Sequence, residues 1–218
     1  VAYKQPYKLI ANGDTRIDPY FWLSYRDSQK VLDYLLKENT YTEEVMEATS
    51  QLQDKLIMEF KSRKRNEDVS VPVYMNGYYY YTRFEEGKDY PINCRKKTSM
   101  NNVEEIILDE NEVAAGYRYC LVASIDISPD NRYLAFGLDT SGSRLFTIMF
   151  KDLQTGRFLD TRINNSAGVV AWAKDSRTVF YSQKDKKLRP SKIFRCNIFS
   201  PENRVNVFEE KDSTFSVQ

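Results

Sequence analysis

Asp139-Thr140-Ser141-Gly142 is one residue removed from the Asp-Thr-Gly loop that holds one of two proton-sharing carboxylates. Ser141 separates Thr from Gly, and the chemistry needs a second such loop, or a second copy of the chain, for the other carboxylate. The stretch reads better as a polar hairpin turn. Nucleophilic catalysis has no base to work with, because the chain contains no histidine. No Ser-His-Asp or Cys-His pair can be assembled, and three-His zinc sites and His-x-Glu deaminase sites are likewise ruled out. The sequence has no G-x-S-x-G elbow and no glycine-rich phosphate loop. Asp126 and Asp130 flank a Ser-Pro turn without the later ligands of a calcium loop. The expectation is that this stretch carries no catalytic, no cofactor-binding and no metal-binding residue of its own.

Cys94, Cys120 and Cys196 are odd in number and form no C-x-x-C pair. They read as buried or half-buried thiols in a reducing compartment, which points to the cytoplasm. Asn164-Asn165-Ser166 matches a glycosylation sequon, but such matches are common by chance and the thiols argue against secretion. Lys and Arg number 32 against 31 Asp and Glu, a net charge of +1. That balance lacks the basic excess of proteins that bind nucleic acid or membrane surfaces. No apolar run approaches the roughly 18 residues a membrane-spanning helix needs. The chain lacks an apolar signal core and begins with Val, so it is expected to be a processed or excised piece.

The elements that hold these residues change character near residue 66. Ser28 to about Arg65 reads as helical, with Ser28 as N-cap and Val31, Leu32, Leu35 and Leu36 on one stripe. Thr40 and Glu43 have capping-box spacing, which predicts a second helix with Val45, Thr49, Leu52, Leu56 and Phe60 on one face. The Lys61–Arg65 run reads as a cationic helix end complementing the macrodipole. Before the helices, Asp18-Pro19-Tyr20-Phe21-Trp22 reads as an extended, exposed aromatic segment that docks on something outside the stretch.

After residue 66 short strands and turns alternate. Val71–Tyr74 and Tyr78–Arg83 flank the turn signal Met75-Asn76-Gly77, and Pro91–Lys96 and Glu105–Asp109 complete four strands. The Tyr78–Tyr81 run reads as a strand buried on both faces rather than a stacking platform for bases or sugars. The segment from Ile125 to Phe136 lines up with Val170 to Tyr181 at an offset of about 45 residues, with Asn131 opposite Ser176 and Ile127 opposite Trp172. Ser143-Arg144-Leu145-Phe146 matches Ser191-Lys192-Ile193-Phe194 as a third strand. Asp152–Gly156 and Ser200–Asn203 read as turns into fourth strands, and Phe215-Ser216-Val217 begins the pattern again. A four-stranded repeat of this length is the signature of a propeller blade. The predicted fold is mainly β with an N-terminal helical segment: residues 1–66 extended and helical, residues 67–218 an incomplete β-propeller. That propeller would hold about three four-stranded blades and the start of a fourth, with Asn111–Leu121 inserted after the first. Its open strand edges are templates for self-association of the piece.

Several stretches resemble the N-terminal part of the prolyl oligopeptidase family, nearest its oligopeptidase B branch. They are Arg16-Ile17-Asp18-Pro19-Tyr20-Phe21-Trp22-Leu23, Gly77-Tyr78-Tyr79-Tyr80-Tyr81-Thr82-Arg83 and Gly87-Lys88-Asp89-Tyr90-Pro91-Ile92-Asn93-Cys94-Arg95-Lys96. Leu108-Asp109-Glu110-Asn111, Ser128-Pro129-Asp130 with Leu134-Ala135, and Trp172 with Phe180-Tyr181 follow in collinear order. The resemblance implies a seven-bladed propeller that covers a serine peptidase domain of the α/β-hydrolase type, placed after it in the chain. The whole enzyme would cut short peptides after Arg or Lys, and the propeller would act as a lid that excludes folded proteins. The implied partners are short peptides and the protein's own C-terminal hydrolase domain. No catalytic motif of the family maps onto these residues, so this piece alone is expected to be inactive. A prolyl oligopeptidase with proline specificity and a stand-alone propeller scaffold are the alternatives.

Overall fold

A computed structural model describes residues 1–65 and 67–217 of the chain. Two compact units divide it, Val1–Arg65 and Asn66–Gln218.

The first unit opens with a hairpin. Strands β1 (Tyr7–Ala11) and β2 (Asp14–Asp18) pair antiparallel around Asn12-Gly13, both at positive φ. That backbone is the two-residue turn whose twist matches the flanking strands, and Asn-Gly is the dipeptide that adopts it most readily. The aromatic segment is therefore not simply extended. Nor is Trp22 exposed: it sits in a 3-10 turn, 6% exposed, stacked on Tyr3 at 4.6 Å and edge-on to Tyr34, and its indole N–H donates to the Tyr3 carbonyl. A stacked, hydrogen-bonded indole buries well within the unit itself.

Helix α1 (Gln29–Met46) starts at Ser28, whose Oγ accepts the Val31 N–H as a cap should. It does not stop at Thr40, whose hydroxyl donates back to the Leu36 carbonyl inside the helix. The break falls later, at a 3-10 turn over Glu47–Thr49, and α2 (Ser50–Arg63) follows with Lys61 and Arg63 in its last turn. Of the predicted stripes only Val31 is buried. Leu32, Leu35, Leu36, Val45, Leu52, Leu56 and Phe60 are exposed, Phe60 by 66%.

The second unit is built of blades. In the first, β3 (Asp68–Val69) and β4 (Val73–Met75) are one interrupted strand against β5 (Tyr78–Phe84). Pro72, with no N–H to donate, lies in the gap. Strands β6 (Ile92–Lys97) and β7 (Glu104–Asp109) complete it. The insertion that follows contains a short helix, α3 (Glu110–Ala114). The second blade is β8 (Leu121–Ile127), β9 (Tyr133–Asp139), β10 (Phe146–Asp152) and the first half of β11 (Phe158–Trp172). The second half of β11 opens the third blade, which continues with β12 (Thr178–Lys184), β13 (Pro190–Asn197) and β14 (Ser200–Glu209).

Three details differ from the sequence reading. Ser143-Arg144-Leu145, predicted to open a third strand, lie in the loop before β10, which begins only at Phe146. Ser200–Asn203 lies in β14, and the turn before it is Ile198-Phe199, pinned by the Asn197 side chain accepting the Phe199 N–H. Phe215–Val217 forms no strand here, although Val217 is buried and its N–H reaches the Pro190 carbonyl. A strand needs a partner ladder, and the described residues supply none.

Strand β9 shows how the blades share a core. It is buried along its whole length, and its alternate residues face opposite ways. Tyr133 and Ala135 join a cluster with Ile148, Phe150, Val179 and Tyr181. Leu134, Phe136 and Leu138 join another with Ile107, Leu108 and Ile127. The period of two thus splits one strand between the cores on its two sides.

Candidate functional site

The Asp139 loop is a structural turn between β9 and β10. Asp139 is 1% exposed and accepts the N–H groups of Ser141, Gly142 and Arg144 together with the Ser141 hydroxyl. Burial works against its charge, but those donors outweigh it and hold the carboxyl below the usual carboxylate range. Oδ1 takes three of these donors and Oδ2 the Arg144 N–H, all of them from the loop itself. Asp130 caps the β8–β9 turn in the same manner, taking the Ser128 hydroxyl and the Arg132 N–H. Asn164 of the sequon lies within β11 and accepts the Thr147 hydroxyl. The three cysteines are unpaired and buried, and burial pushes the Cys94 and Cys196 thiols up to about 11. Thiols so placed are poor nucleophiles. Among the described residues no group of three or more Cys, Asp or Glu is arranged to hold a metal ion. No helix among them is long and apolar enough to cross a membrane.

The tyrosine run is committed to internal contacts. Tyr78 carries the Arg95 guanidinium over its ring at 4.2 Å, the Tyr80 hydroxyl donates to Asn131, and the Tyr81 hydroxyl donates to Glu104. Glu104 also pairs with Arg83, which pairs with Glu85, and Lys88 links Glu85 to Asp109. This network ties β5, β6 and β7 into one plate.

Neighbouring blades are stitched at equivalent points. Asn131 donates from its side chain to the Asn76 carbonyl and accepts Arg95 at its own carbonyl. One repeat on, Ser176 accepts the Asp130 N–H through its Oγ. Asn131 and Ser176 both sit at positive φ, so the same tight turn presents both side chains to the seam. Trp172 crosses it as well, donating to the Asp126 carbonyl at 3.4 Å. The 45-residue offset pairs Asn131 with Ser176, but spacing alone gave no sign that these turn residues join the blades.

Blade strands line two of the concave surfaces among the described residues. One, of about 610 Å³, lies against β11, β12 and β13, lined by Val169, Ala171, Phe180, Ile193 and Val217 among others. The other, of about 300 Å³, lies between the first strands of the first two blades. Its walls are Val71, Val73 and Met75 from one side and Ile125, Asp126 and Ile127 from the other. Cavities with apolar walls and few polar groups are where propellers and other scaffolds take ligands.

The family described as Prolyl oligopeptidase, N-terminal beta-propeller domain, matches residues 3–218. Dipeptidyl aminopeptidase BI of Pseudoxanthomonas mexicana is 37% identical over 97% of this chain and 32% of its own length. Protease 2 of Moraxella lacunata is 32% identical over 100% of this chain and 33% of its own. Among solved structures, oligopeptidase B from Leishmania major superposes with a TM-score of 0.91 at 30% identity, covering 99% of this chain and 33% of that one. Oligopeptidase B from Trypanosoma brucei, in a closed form with covalently bound antipain, gives 0.87 at 27% identity, covering 100% and 33%. The chain thus spans about a third of the length of these relatives. With its blade repeat, its N-terminal helical unit and a family match over nearly every residue, the chain belongs to the prolyl oligopeptidase family, as an N-terminal propeller portion of the oligopeptidase B type.

Proposed function

We propose that this chain is the non-catalytic lid of a serine endopeptidase that hydrolyses short peptides after Arg or Lys. The observation that carries the reading is collinear similarity over the whole chain to a third of oligopeptidase B, combined with a sequence that holds no histidine. The Ser-Asp-His triad then belongs to an α/β-hydrolase domain in the C-terminal two thirds, as in an enzyme of this architecture. The propeller's part is steric: flexible oligopeptides enter the covered cavity and folded chains do not. Its exposed surfaces suit that arrangement. Tyr7, Ile10 and Ile17 on the hairpin and the apolar stripes of α1 and α2 lie open, and we assign Tyr3–Leu23 to contact with the hydrolase domain. Buried, unpaired thiols support a cytoplasmic, reducing location.

The test uses the longer gene product and a size series. Blocked dipeptide amides ending in Arg should be cleaved, peptides of some tens of residues cleaved more slowly, and a folded protein with exposed Arg left intact. Cleavage of the folded protein at the rate of the dipeptide would contradict the lid.

A second reading has its own support, since a relative 37% identical is named a dipeptidyl aminopeptidase. Such an enzyme releases dipeptides and needs a free amine at the substrate's N-terminus. Cleavage of the free form but not the blocked form of one Arg substrate would select it.

A further inference from the structure

We propose that the basic run Lys61-Ser62-Arg63-Lys64-Arg65 is a processing site, cut by an endopeptidase that recognises paired basic residues. The site goes beyond the peptidase reading above and stands without it.

Paired basic residues occur at three places, Arg63-Lys64-Arg65, Arg95-Lys96-Lys97 and Lys186-Lys187. A peptidase cleft takes its substrate as an extended strand, so the backbone around each pair decides which can enter. Arg95-Lys96-Lys97 lies in β6, which is laddered to β5 on one side and β7 on the other. Arg95 is also 4% exposed, its guanidinium held by Glu105 and by the Asn131 carbonyl. Lys186 and Lys187 are exposed, but they form the tight turn between β12 and β13. There the Asp185 carboxylate accepts the N–H groups of Lys187 and Arg189 and pairs with the Arg189 guanidinium. The backbone closes the same turn, Asp185 N–H to the Arg189 carbonyl and Leu188 N–H to the Asp185 carbonyl.

The run at the end of α2 is held differently. All five of its residues are exposed. The helix ends at Arg63, and its C-cap Lys64 already has extended backbone, φ −86° and ψ 131°. Lys61 and Arg63 lie in the last turn, where cations complement the macrodipole, but Lys64 and Arg65 lie past it. A last turn leaves carbonyl groups without intrahelical partners and frays first, and α2 has no buried residue to resist that. Arg63 pairs with Glu59 one turn back, and an exposed pair of this kind is weak. The run also closes the first compact unit. The β1–β2 hairpin, α1 and α2 precede the cut and β3 follows it, so no ladder among the described strands crosses it. Water added across the peptide bond after Lys64 or Arg65 yields a carboxylate and an ammonium, and each unit keeps its own hydrogen bonds.

The test is limited digestion of the full-length gene product by a serine endopeptidase specific for paired basic residues, read by intact mass and N-terminal sequencing. The gene product incubated alone gives the background rate. The first cut should fall after Lys64 or Arg65, and the cut protein should keep its circular dichroism spectrum. The triple variant Arg63→Gln, Lys64→Gln, Arg65→Gln should slow that cut at least about tenfold, because the charge-assisted contacts in the cleft are lost. Lys186→Gln with Lys187→Gln should leave its rate unchanged. Thermal unfolding confirms that the variants fold. A first cut at Arg95-Lys96-Lys97 or Lys186-Lys187, no cut at all, or a triple variant cut within the run at the wild-type rate would overturn the site.

Discussion

Asp139 and Glu110 are both buried acids, and the structure gives them opposite signs. Asp139 is held below the usual carboxylate range by three N–H groups and a hydroxyl. Its folded value lies under its unfolded one, so its stabilisation is fully present above the unfolded value and is lost as pH falls through the folded one. Asp139→Asn should cost about 2 kcal/mol near neutral pH, read by denaturant unfolding, and the deficit should shrink in acid. Glu110 is pushed up by burial, with only the Asn93 amide and no cation to offset it. Its folded value lies above its unfolded one, so stability falls as pH rises through the window between them. Glu110→Gln keeps the Asn93 bond and should raise stability at neutral pH by about 1 kcal/mol. Unchanged unfolding midpoints in both variants would contradict these assignments. The sequence already favours a turn at Asp139, because Ser141 separates Thr140 from Gly142, and the fit of three N–H groups to the one carboxylate bears that reading out.

At the scale of elements, close backbone approach governs the sharpest prediction. A Cβ on Gly137 would lie 2.5 Å from the Gly168 carbonyl oxygen, and one on Gly168, at φ +88°, would meet the Phe146 ring at 2.7 Å. The first clash is with backbone and the second with the buried ring of Phe146 in β10. Gly137→Ala and Gly168→Ala should each cost about 3 kcal/mol, whereas Gly156→Ala, at φ +71° in open space, should cost about 1 kcal/mol. Equal costs at Gly168 and Gly156, both at positive φ, would show that backbone conformation, not contact, sets the penalty there. Ser28→Ala should loosen the start of α1 by about 1 kcal/mol, visible as faster amide exchange in its first turn. Ser28 was legible because a cap is a local device. Thr40 was misread because capping-box spacing also occurs inside a helix, where the hydroxyl simply returns to the carbonyl four residues back. Asn12-Gly13 is a local signal for the β1–β2 hairpin, whereas the burial of Trp22 is not legible locally, because its partner Tyr3 lies 19 residues away in sequence.

For the whole molecule, the repeat carried most of the information. An offset of 45 residues placed β8 with β11 and β9 with β12, and the blade architecture followed from it. What spacing could not convey was the continuity of β11, which closes one blade and opens the next, or the seam built by Asn131, Ser176 and Trp172. The exposed stripes on α1 and α2 carry a helical period without a core to satisfy it, which is why their pattern was plain and their partner was not. We propose that this chain shapes access to a peptidase and holds no catalyst of its own. The most direct measurement is hydrolysis of a fluorogenic, blocked dipeptide ending in Arg, by this 218-residue chain and by the longer gene product side by side. The account predicts turnover by the longer protein and none by the chain alone. Turnover by the chain alone, with contaminating proteases removed, would require a histidine-free catalytic site within these residues and would contradict it.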